Sequence, residues 1–84
     1  MAYEVRFTKE AVKNVKKLSP KLREKLRAIV LRQVAENPQE GKRLVGDLAG
    51  FFSIRLTHRD RIVYTINEET KTVFTHRART HYGE

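Results

Sequence analysis

Several kinds of residue and segment are missing from this 84-residue chain. It contains no cysteine, so disulfide bonds and thiolate chemistry are excluded, as is usual for proteins of a reducing compartment. The longest unbroken apolar run, residues 28–31, is far shorter than the ~20 residues that span a bilayer. No apolar stretch follows Met1, so the N-terminus does not resemble a signal peptide. We therefore expect a cytoplasmic protein without a membrane-spanning segment.

Acidic residues are also scarce. The chain has 18 lysines and arginines against 10 aspartates and glutamates, which gives a net charge of +8. Its length suits one small domain over residues 1–84, and on so small a surface this charge attracts polyanions. Nucleic acid is the first candidate partner and an acidic protein is the second. A basic domain with no nucleic-acid role is the alternative.

The first half of the chain predicts one strand and two helices. Alternating apolar residues predict a strand over residues 2–7, and Thr8 is a candidate N-cap for a helix that ends near Leu18. Ser19 and Pro20 begin a second amphipathic helix that runs to about Glu36. The first helix is expected to bury one apolar face: Ala11, Val12, Val15 and Leu18. The basic outer faces either bind phosphate or are solvated, and interrupting glutamates favour solvation.

A loop is predicted between the helices and the last third of the chain. Asn37 and Pro38 end the second helix, and residues 39–50 show little periodicity and contain three glycines. Three apolar residues are expected to fix this loop to the core: Leu44, Val45 and Leu48. Connections of this length in a small domain are often functional, and Lys42 and Arg43 lie on this one.

The last third alternates apolar and polar residues, which predicts three strands with one face on the core. Four residues are expected on that core face: Ile54, Leu56, Ile62 and Tyr64. Antiparallel pairing then places Arg55 opposite Arg61 or Val63, so both arginines lie on the other face. Adjacent guanidinium groups repel unless an anion lies between them. The alternative is that a carboxylate pairs with them: that of Asp60, of Glu68 or of the C-terminus.

A polar tail, residues 77–84, follows the third strand and contains Arg79, His81 and Tyr82. The three histidines lack the spacing of a zinc site, and the chain has no Walker, Rossmann or serine-elbow motif. We therefore expect chemistry without metal or cofactor. The cations, the imidazole and the phenol suit RNA cleavage, in which the ribose 2′-hydroxyl is the nucleophile and the protein supplies charge and proton transfer.

The order of these elements, together with residues 44–55, 61–64 and the terminal His81-Tyr82, resembles the RelE/ParE superfamily of toxin–antitoxin toxins, and most of all its YoeB (Txe) branch. The resemblance implies an α+β fold of order β-α-α-β-β-β, with two helices on one face of a mostly antiparallel four-stranded sheet. It also implies a ribosome-dependent endoribonuclease that cuts mRNA in the ribosomal A site. The implied partners are the ribosome, mRNA and an acidic antitoxin, with operator DNA bound only through the toxin–antitoxin complex.

The resemblance also assigns roles to residues. Arg61 matches the arginine that stabilises the scissile phosphate, and His81 and Tyr82 match the terminal pair that transfers protons and orients the substrate. Lys42 stands where YoeB-like toxins have a glutamate general base, so the base is left open between His81 and a lysine, with Glu40, two residues away, as a weak substitute. Five further residues are predicted to bind substrate: Arg43, Phe51, Arg55, His58 and Arg79.

Two other functions fit the same sequence. A ParE-like relative would inhibit DNA gyrase by binding to it, although that branch usually lacks the terminal His-Tyr pair. A catalytically inactive module that only binds the antitoxin and represses the operon is the second alternative, because the expected glutamate is replaced by Lys42.

Overall fold

The structure is a computed structural model that describes residues 2–79, within which two α-helices and five strands follow one another. The helices are α1 (Lys9–Lys17) and α2 (Pro20–Ile29). The strands are β1 (Glu4–Phe7), β2 (Lys42–Arg43), β3 (Phe52–Arg55), β4 (Arg61–Asn67) and β5 (Thr72–Arg79). Short 3₁₀ turns cover Pro38–Glu40 and Gly46–Leu48. No helix in this part of the chain is long and apolar enough to cross a membrane.

Both helices begin at the predicted caps. The Thr8 hydroxyl accepts a hydrogen bond from the backbone N–H of Ala11 at 3.1 Å, and the Ser19 hydroxyl accepts one from Leu22 at 3.3 Å. Each bond satisfies a backbone donor that the first helical turn leaves without a partner. Pro20 follows Ser19 in the first turn of α2, where its missing N–H costs nothing. The two helix starts predicted from the sequence are confirmed.

The second helix ends in a wider turn than the apolar spacing predicts. Residues Val30–Val34 form a π-helical turn, in which the N–H of Ala35 donates to the carbonyl of Val30 at 2.8 Å. Val30 and Val34 are both buried on either side of this turn. The helical segment predicted to reach residue 36 therefore has the expected length, but its last turn is not α-helical.

The strands form one sheet in the order β1-β5-β4-β3-β2. Only the β1–β5 pair is parallel, and the other three pairs are antiparallel. The α+β class with a mostly antiparallel sheet is confirmed. The predicted count of four strands is wrong by one, because Lys42–Arg43 pairs with β3 within the segment expected to be a loop. Two residues are too short a run to show a strand period.

The hydrophobic core lies between the helices and one face of the sheet. Its buried members come from both layers: Leu26, Val30, Val34, Leu56, Ile62, Tyr64, Val73 and Ala78. Ile54 packs against this cluster, so all four predicted core residues of the hairpin lie on the helix side. Two expectations are wrong. Val12 is 40% exposed while Asn14 is buried, and Val45 and Leu48 are exposed because the loop that carries them lies outside the core.

Strand β5 continues past the predicted third strand and contains a bulge. It extends to Arg79, so the polar tail expected from residue 77 begins as strand. Val63 pairs with Arg77 and Tyr64 pairs with Thr75, which leaves His76 as the extra residue. A bulge adds one residue to a strand and so reverses the side on which later residues lie. As a result, Ala78 is buried on the helix side and Arg77 is on the opposite side with Val63.

The end of β5 is held by a helix. Strand β1 ends at Phe7, which pairs with Thr75, so beyond that point β5 has no strand on its outer edge. There the N–H of Ala78 donates to the side-chain carbonyl of Asn14 at 3.2 Å, and Asn14 is only 2% exposed. The Asn14 side chain on α1 thus takes the place of a neighbouring strand and satisfies a buried backbone donor.

Candidate functional site

Arginines occupy paired positions on three adjacent strands, on the sheet face opposite the helices. Arg55 of β3 pairs with Arg61 of β4, and Arg61 in turn pairs with Arg79 of β5. We call these three positions the arginine row. Of the two pairings predicted for Arg55, the one with Arg61 is observed. Paired positions in antiparallel strands are about 5 Å apart, so cationic residues are concentrated in a short line.

Two members of the arginine row, Arg55 and Arg61, have no carboxylate partner within the described part of the chain. Glu68, one of the carboxylates considered as a partner, lies at the opposite end of β4, just after Asn67. Its carboxylate accepts hydrogen bonds from Tyr3 and Gln39, both at 2.8 Å, and pairs with Lys71 at 3.4 Å. An anion that binds beside Arg55 and Arg61 would therefore not have to displace a carboxylate of residues 2–79 from either of them.

A pocket of about 630 Å³ opens beside the arginine row. It lies between the same sheet face, the loop before β3 and the first turn of α1. Seven residues line it: Thr8, Glu10, Leu48, Phe51, Val63, His76 and Arg77. We call it the sheet pocket. The predicted substrate-binding residue Phe51 forms part of its wall, half-buried and on the same strand parity as Arg55. Its volume falls within the range usual for small-molecule sites, ~300–1,000 Å³.

His76 is a site residue that sequence reasoning considered only as a zinc ligand. Its ring contacts that of Phe51 with 5.1 Å between centroids and a 60° tilt. Its Nε2 is 2.9 Å from the hydroxyl of Thr65, which fixes the ring. Burial lowers the pKa of His76, so the ring is neutral at neutral pH. The strand pattern gave no signal for this position, because His76 is the residue inserted by the bulge.

The two basic residues of β2 lie on opposite sides of the sheet. Lys42 pairs with Ser53, whose neighbour across β4 is Val63, so Lys42 is on the side of the arginine row. Arg43 pairs with Phe52, and its guanidinium carbon lies 5.7 Å from the centre of the Phe52 ring. Arg43 is thus on the helix side and is not brought together with the other predicted substrate-binding residues.

A close backbone contact fixes where β2 begins. A Cβ at Gly41 would collide with the hydroxyl of Tyr64, so only glycine fits there. The same hydroxyl donates to the carbonyl of Pro38 at 2.6 Å, and burial raises the pKa of Tyr64 to about 12, against a smaller lowering by the Gly41 backbone. The phenol is therefore a structural hydrogen-bond donor, and it holds the chain immediately before Lys42.

The other predicted site residues lie at or beyond the end of the sheet. His58 is exposed in the turn between β3 and β4, next to the arginine row. Arg79 ends β5 at the position paired with Arg61. His81 and Tyr82 lie outside the described residues.

This fold and its features agree with known toxins. Residues 5–82 match the family described as the ParE-like toxin of type II bacterial toxin-antitoxin system. The chain belongs to this toxin family. The RelE/ParE superfamily membership predicted from the sequence is thereby confirmed. No curated protein sequence matches the toxin significantly.

Three solved structures give the scale of the similarity. The toxin-antitoxin complex RelBE2 from Mycobacterium tuberculosis contains a chain that is 32% identical to the toxin, with a TM-score of 0.87 over 96% of this chain and 93% of that chain. A chain of the intact RelBE toxin-antitoxin complex of E. coli is 25% identical to the toxin. Its TM-score is 0.83, over 98% of this chain and 100% of that chain. The YoeB/ParE toxin from Agrobacterium tumefaciens shares the fold. It is 23% identical, with a TM-score of 0.82 over 94% of this chain and 99% of that chain.

Two chemical capacities meet on one face of the toxin. The arginine row attracts anions, because arginine remains positively charged and its backbone positions on neighbouring strands are paired. The sheet pocket beside it offers aromatic and aliphatic surface with a carboxylate and an imidazole at its wall. A phosphate ester with an attached planar group would match both features.

Proposed function

We propose that this toxin is a ribosome-dependent endoribonuclease that cleaves mRNA. In this reaction the ribose 2′-oxygen attacks the adjacent phosphorus, the bond from phosphorus to the 5′-oxygen breaks, and that oxygen leaves with a proton. The nucleophile belongs to the RNA, so the protein needs only to position the phosphate, stabilise its developing charge and transfer protons. No metal ion is required by this chemistry.

The arginine row carries the proposal. Pairing of Arg55 with Arg61 repels unless an anion offsets it, and the row stands on the sheet face that the helices leave open. Arg61, at its centre and half-exposed, is assigned to the scissile phosphate. Arg55 and Arg79 flank it on the neighbouring strands and are assigned to substrate binding. His58 adds a further group from the adjoining turn.

Proton transfer is assigned to the C-terminal residues. His81 is the proposed general acid or base, and Tyr82 the group that orients the substrate. Lys42, on the same side of the sheet as the arginine row, is proposed to stabilise the attacking hydroxyl electrostatically. Arg43, which lies over Phe52 on the helix side, is left with a structural contact and a general contribution to the positive field.

The toxin's partners follow from the same proposal. We propose a cognate acidic antitoxin, because the net charge of +8 favours such a partner and both RelBE2 of M. tuberculosis and RelBE of E. coli are toxin-antitoxin complexes. Ribosomes and mRNA are the proposed substrate assembly. Operator DNA would be bound only through the toxin–antitoxin complex.

The test is induced expression followed by mapping of mRNA ends. The wild-type toxin is compared with Arg61→Ala and His81→Ala, and with Lys13→Ala on the outer face of α1 as a matched loss of one cation. New ends within translated codons are expected for the wild type and for Lys13→Ala, and are expected to vanish in the other two. Growth arrest with intact mRNA in all four strains would refute the nuclease.

A second candidate is inhibition of DNA gyrase, which the match to the ParE-like family favours. It requires no proton transfer and hence no role for His81. An SOS response with intact mRNA, unchanged in His81→Ala, would identify this function. The inactive antitoxin-binding module is identified by the absence of toxicity from every variant, the wild type included.

A further inference from the structure

The sheet pocket has walls of two kinds. Phe51, Leu48 and Val63 give it an apolar surface, of which the Phe51 ring is the planar part. Polar groups reach the same space from the start of α1, with Thr8 and Glu10, and from β5, with His76 and Arg77. An apolar slot with a few converging polar groups is the usual form of a site for a small planar ligand. The phosphate chemistry of the arginine row does not use any of these side chains.

The pocket lies within reach of an RNA held at the arginine row. Val63 is two residues from Arg61 on the same strand and the same face, a separation of ~7 Å at the rise of a β-strand. Single-stranded RNA displays its bases unstacked, so that they can stack on aromatic side chains and present their Watson–Crick edges. A phosphate at Arg61 and a base in the sheet pocket can therefore belong to adjoining nucleotides.

The polar groups of the pocket would not suit all four bases equally. A carboxylate such as that of Glu10 is an acceptor on both oxygens and matches two neighbouring N–H donors. Only guanine, through N1–H and N2–H₂, has two such donors side by side. His76 is neutral, and when the Thr65 hydroxyl donates to its Nε2, its Nδ1 carries a proton that guanine O6 or N7 can accept.

We propose that the sheet pocket binds a guanine base of single-stranded RNA, with Phe51 as the stacking surface and Glu10 as the residue that selects guanine. This inference deepens the proposed function, because it assumes that the RNA bound at the arginine row continues into the pocket. His76 is a positioning residue in it, held by Thr65 and packed against Phe51. The sequence preference of the toxin would then depend on α1 as well as on the sheet.

The test uses RNA that cannot be cut. Four 2′-O-methyl tetranucleotides are titrated against the purified toxin. Each has uridine at three positions and a different one of the four bases at the remaining position. Binding is followed by the NMR signals of His76. We expect the guanine oligonucleotide to bind tightest. Glu10→Gln is expected to weaken it about tenfold and to leave the adenine oligonucleotide unchanged or tighter, since an amide offers one donor and one acceptor.

Two further variants complete the design. Glu24→Gln on the exposed face of α2 removes the same charge and is expected to change no affinity. Phe51→Leu is expected to weaken all four oligonucleotides alike, because stacking does not depend on base identity. If Glu10→Gln leaves the ratio of guanine to adenine affinity unchanged, the proposal is wrong. If GMP binds as tightly as the guanine oligonucleotide, the assignment to RNA is overturned.

The outcome is separate from that of the nuclease test. The 2′-O-methyl group removes the attacking hydroxyl, so binding is measured whether or not the toxin cleaves RNA. Guanine selectivity without new mRNA ends would support the pocket and refute the nuclease. New mRNA ends with no guanine selectivity would support the nuclease and refute the proposed guanine site.

Discussion

Opposite charges are paired at one end of the sheet, and like charges are placed side by side at the other. At the end where β4 leaves the sheet, Glu68 accepts hydrogen bonds from Tyr3 and Gln39, and Lys71 joins it at 3.4 Å while lying 5.2 Å from the centre of the Tyr3 ring. At the other end, the arginine row sets like charges at paired positions. The first arrangement connects the N-terminus, the loop before β2 and the β4–β5 turn.

The difference separates residues that serve the fold from residues that serve a partner. The charges around Glu68 have found partners within the chain, so their removal affects mainly the stability of the toxin. Arg55 and Arg61 place like charges at paired positions, so an anion bound beside them would offset their repulsion. Four predictions test this comparison.

The largest effect is expected from removing one cation at each end. Arg61→Ala should lower the rate of mRNA cleavage by about a hundredfold or more, the loss typical when a donor to a developing oxyanion is removed. Lys71→Ala removes the same charge from the other end and should leave the rate within about twofold of the wild type. The measurement is single-turnover cleavage of mRNA on programmed ribosomes. Equal losses in both variants would mean that net charge alone matters.

Asn14→Leu tests whether α1 holds the arginine end in place. Leucine branches at Cγ as asparagine does but is larger and apolar, so it leaves the N–H of Ala78 buried without an acceptor, which should cost about 1–3 kcal/mol of unfolding free energy. Denaturant unfolding measures this cost. The matched control is Lys13→Leu, one position earlier on the exposed side of the same helix, which should change stability by no more than ~0.5 kcal/mol. A stable Asn14→Leu variant would show that this hydrogen bond is dispensable.

Arg55→Gln should make the toxin more stable and less active at once. Removing one of two paired guanidinium groups relieves a repulsion of some tenths of a kcal/mol, within the ~0.2–1 kcal/mol range of cross-strand pairs. The increase should be greatest at low ionic strength, because salt screens the repulsion. Thermal unfolding at two salt concentrations measures it. A loss of stability at low salt would contradict the interpretation of the arginine row.

The smallest effect concerns Glu68 and acid. The hydrogen bond from Tyr3, followed by that from Gln39, lowers the pKa of Glu68 below 4.5. A carboxylate with a lowered folded-state pKa adds stability above its unfolded pKa, and this stability is lost as the pH falls through the folded pKa. The melting temperature of Glu68→Gln should therefore fall less on acidification than that of the wild type. Parallel melting curves at neutral and strongly acidic pH measure the difference.

Much of the scaffold could be predicted from short-range signals. Thr8 and the Ser19-Pro20 pair start the helices because a side-chain acceptor at that point satisfies a helix donor, which is a local requirement. The alternation of apolar and polar residues predicted that Arg55 and Arg61 lie on the same face of the sheet. A shift of one residue in the pairing of β3 with β4 would have exposed the core residues of the hairpin. These features depend on neighbours in sequence, or on one hairpin.

The parts of the site that could not be predicted depend on distant contacts. Asn14 resembles a solvated helix residue until β5 is placed against α1, where β1 has ended. The short strand at Lys42 exists because Gly41 lies against the Tyr64 hydroxyl, 23 positions later in the chain. The sheet pocket combines an α1 residue with a bulge residue, and neither gives a periodic signal.

The bulge at His76 shifts the alternation of side chains along β5 by one residue. Before it, odd-numbered residues such as Val73 and Thr75 point toward the helices, and after it the even-numbered Ala78 does. Deleting His76 alone would join Thr75 directly to Arg77, so Arg77 could still pair with Val63 and Ala78 with Ile62, now without a bulge. A variant of this toxin that lost only His76 would therefore keep Arg77 and Arg79 at their paired positions and lose the imidazole with its contact to Phe51.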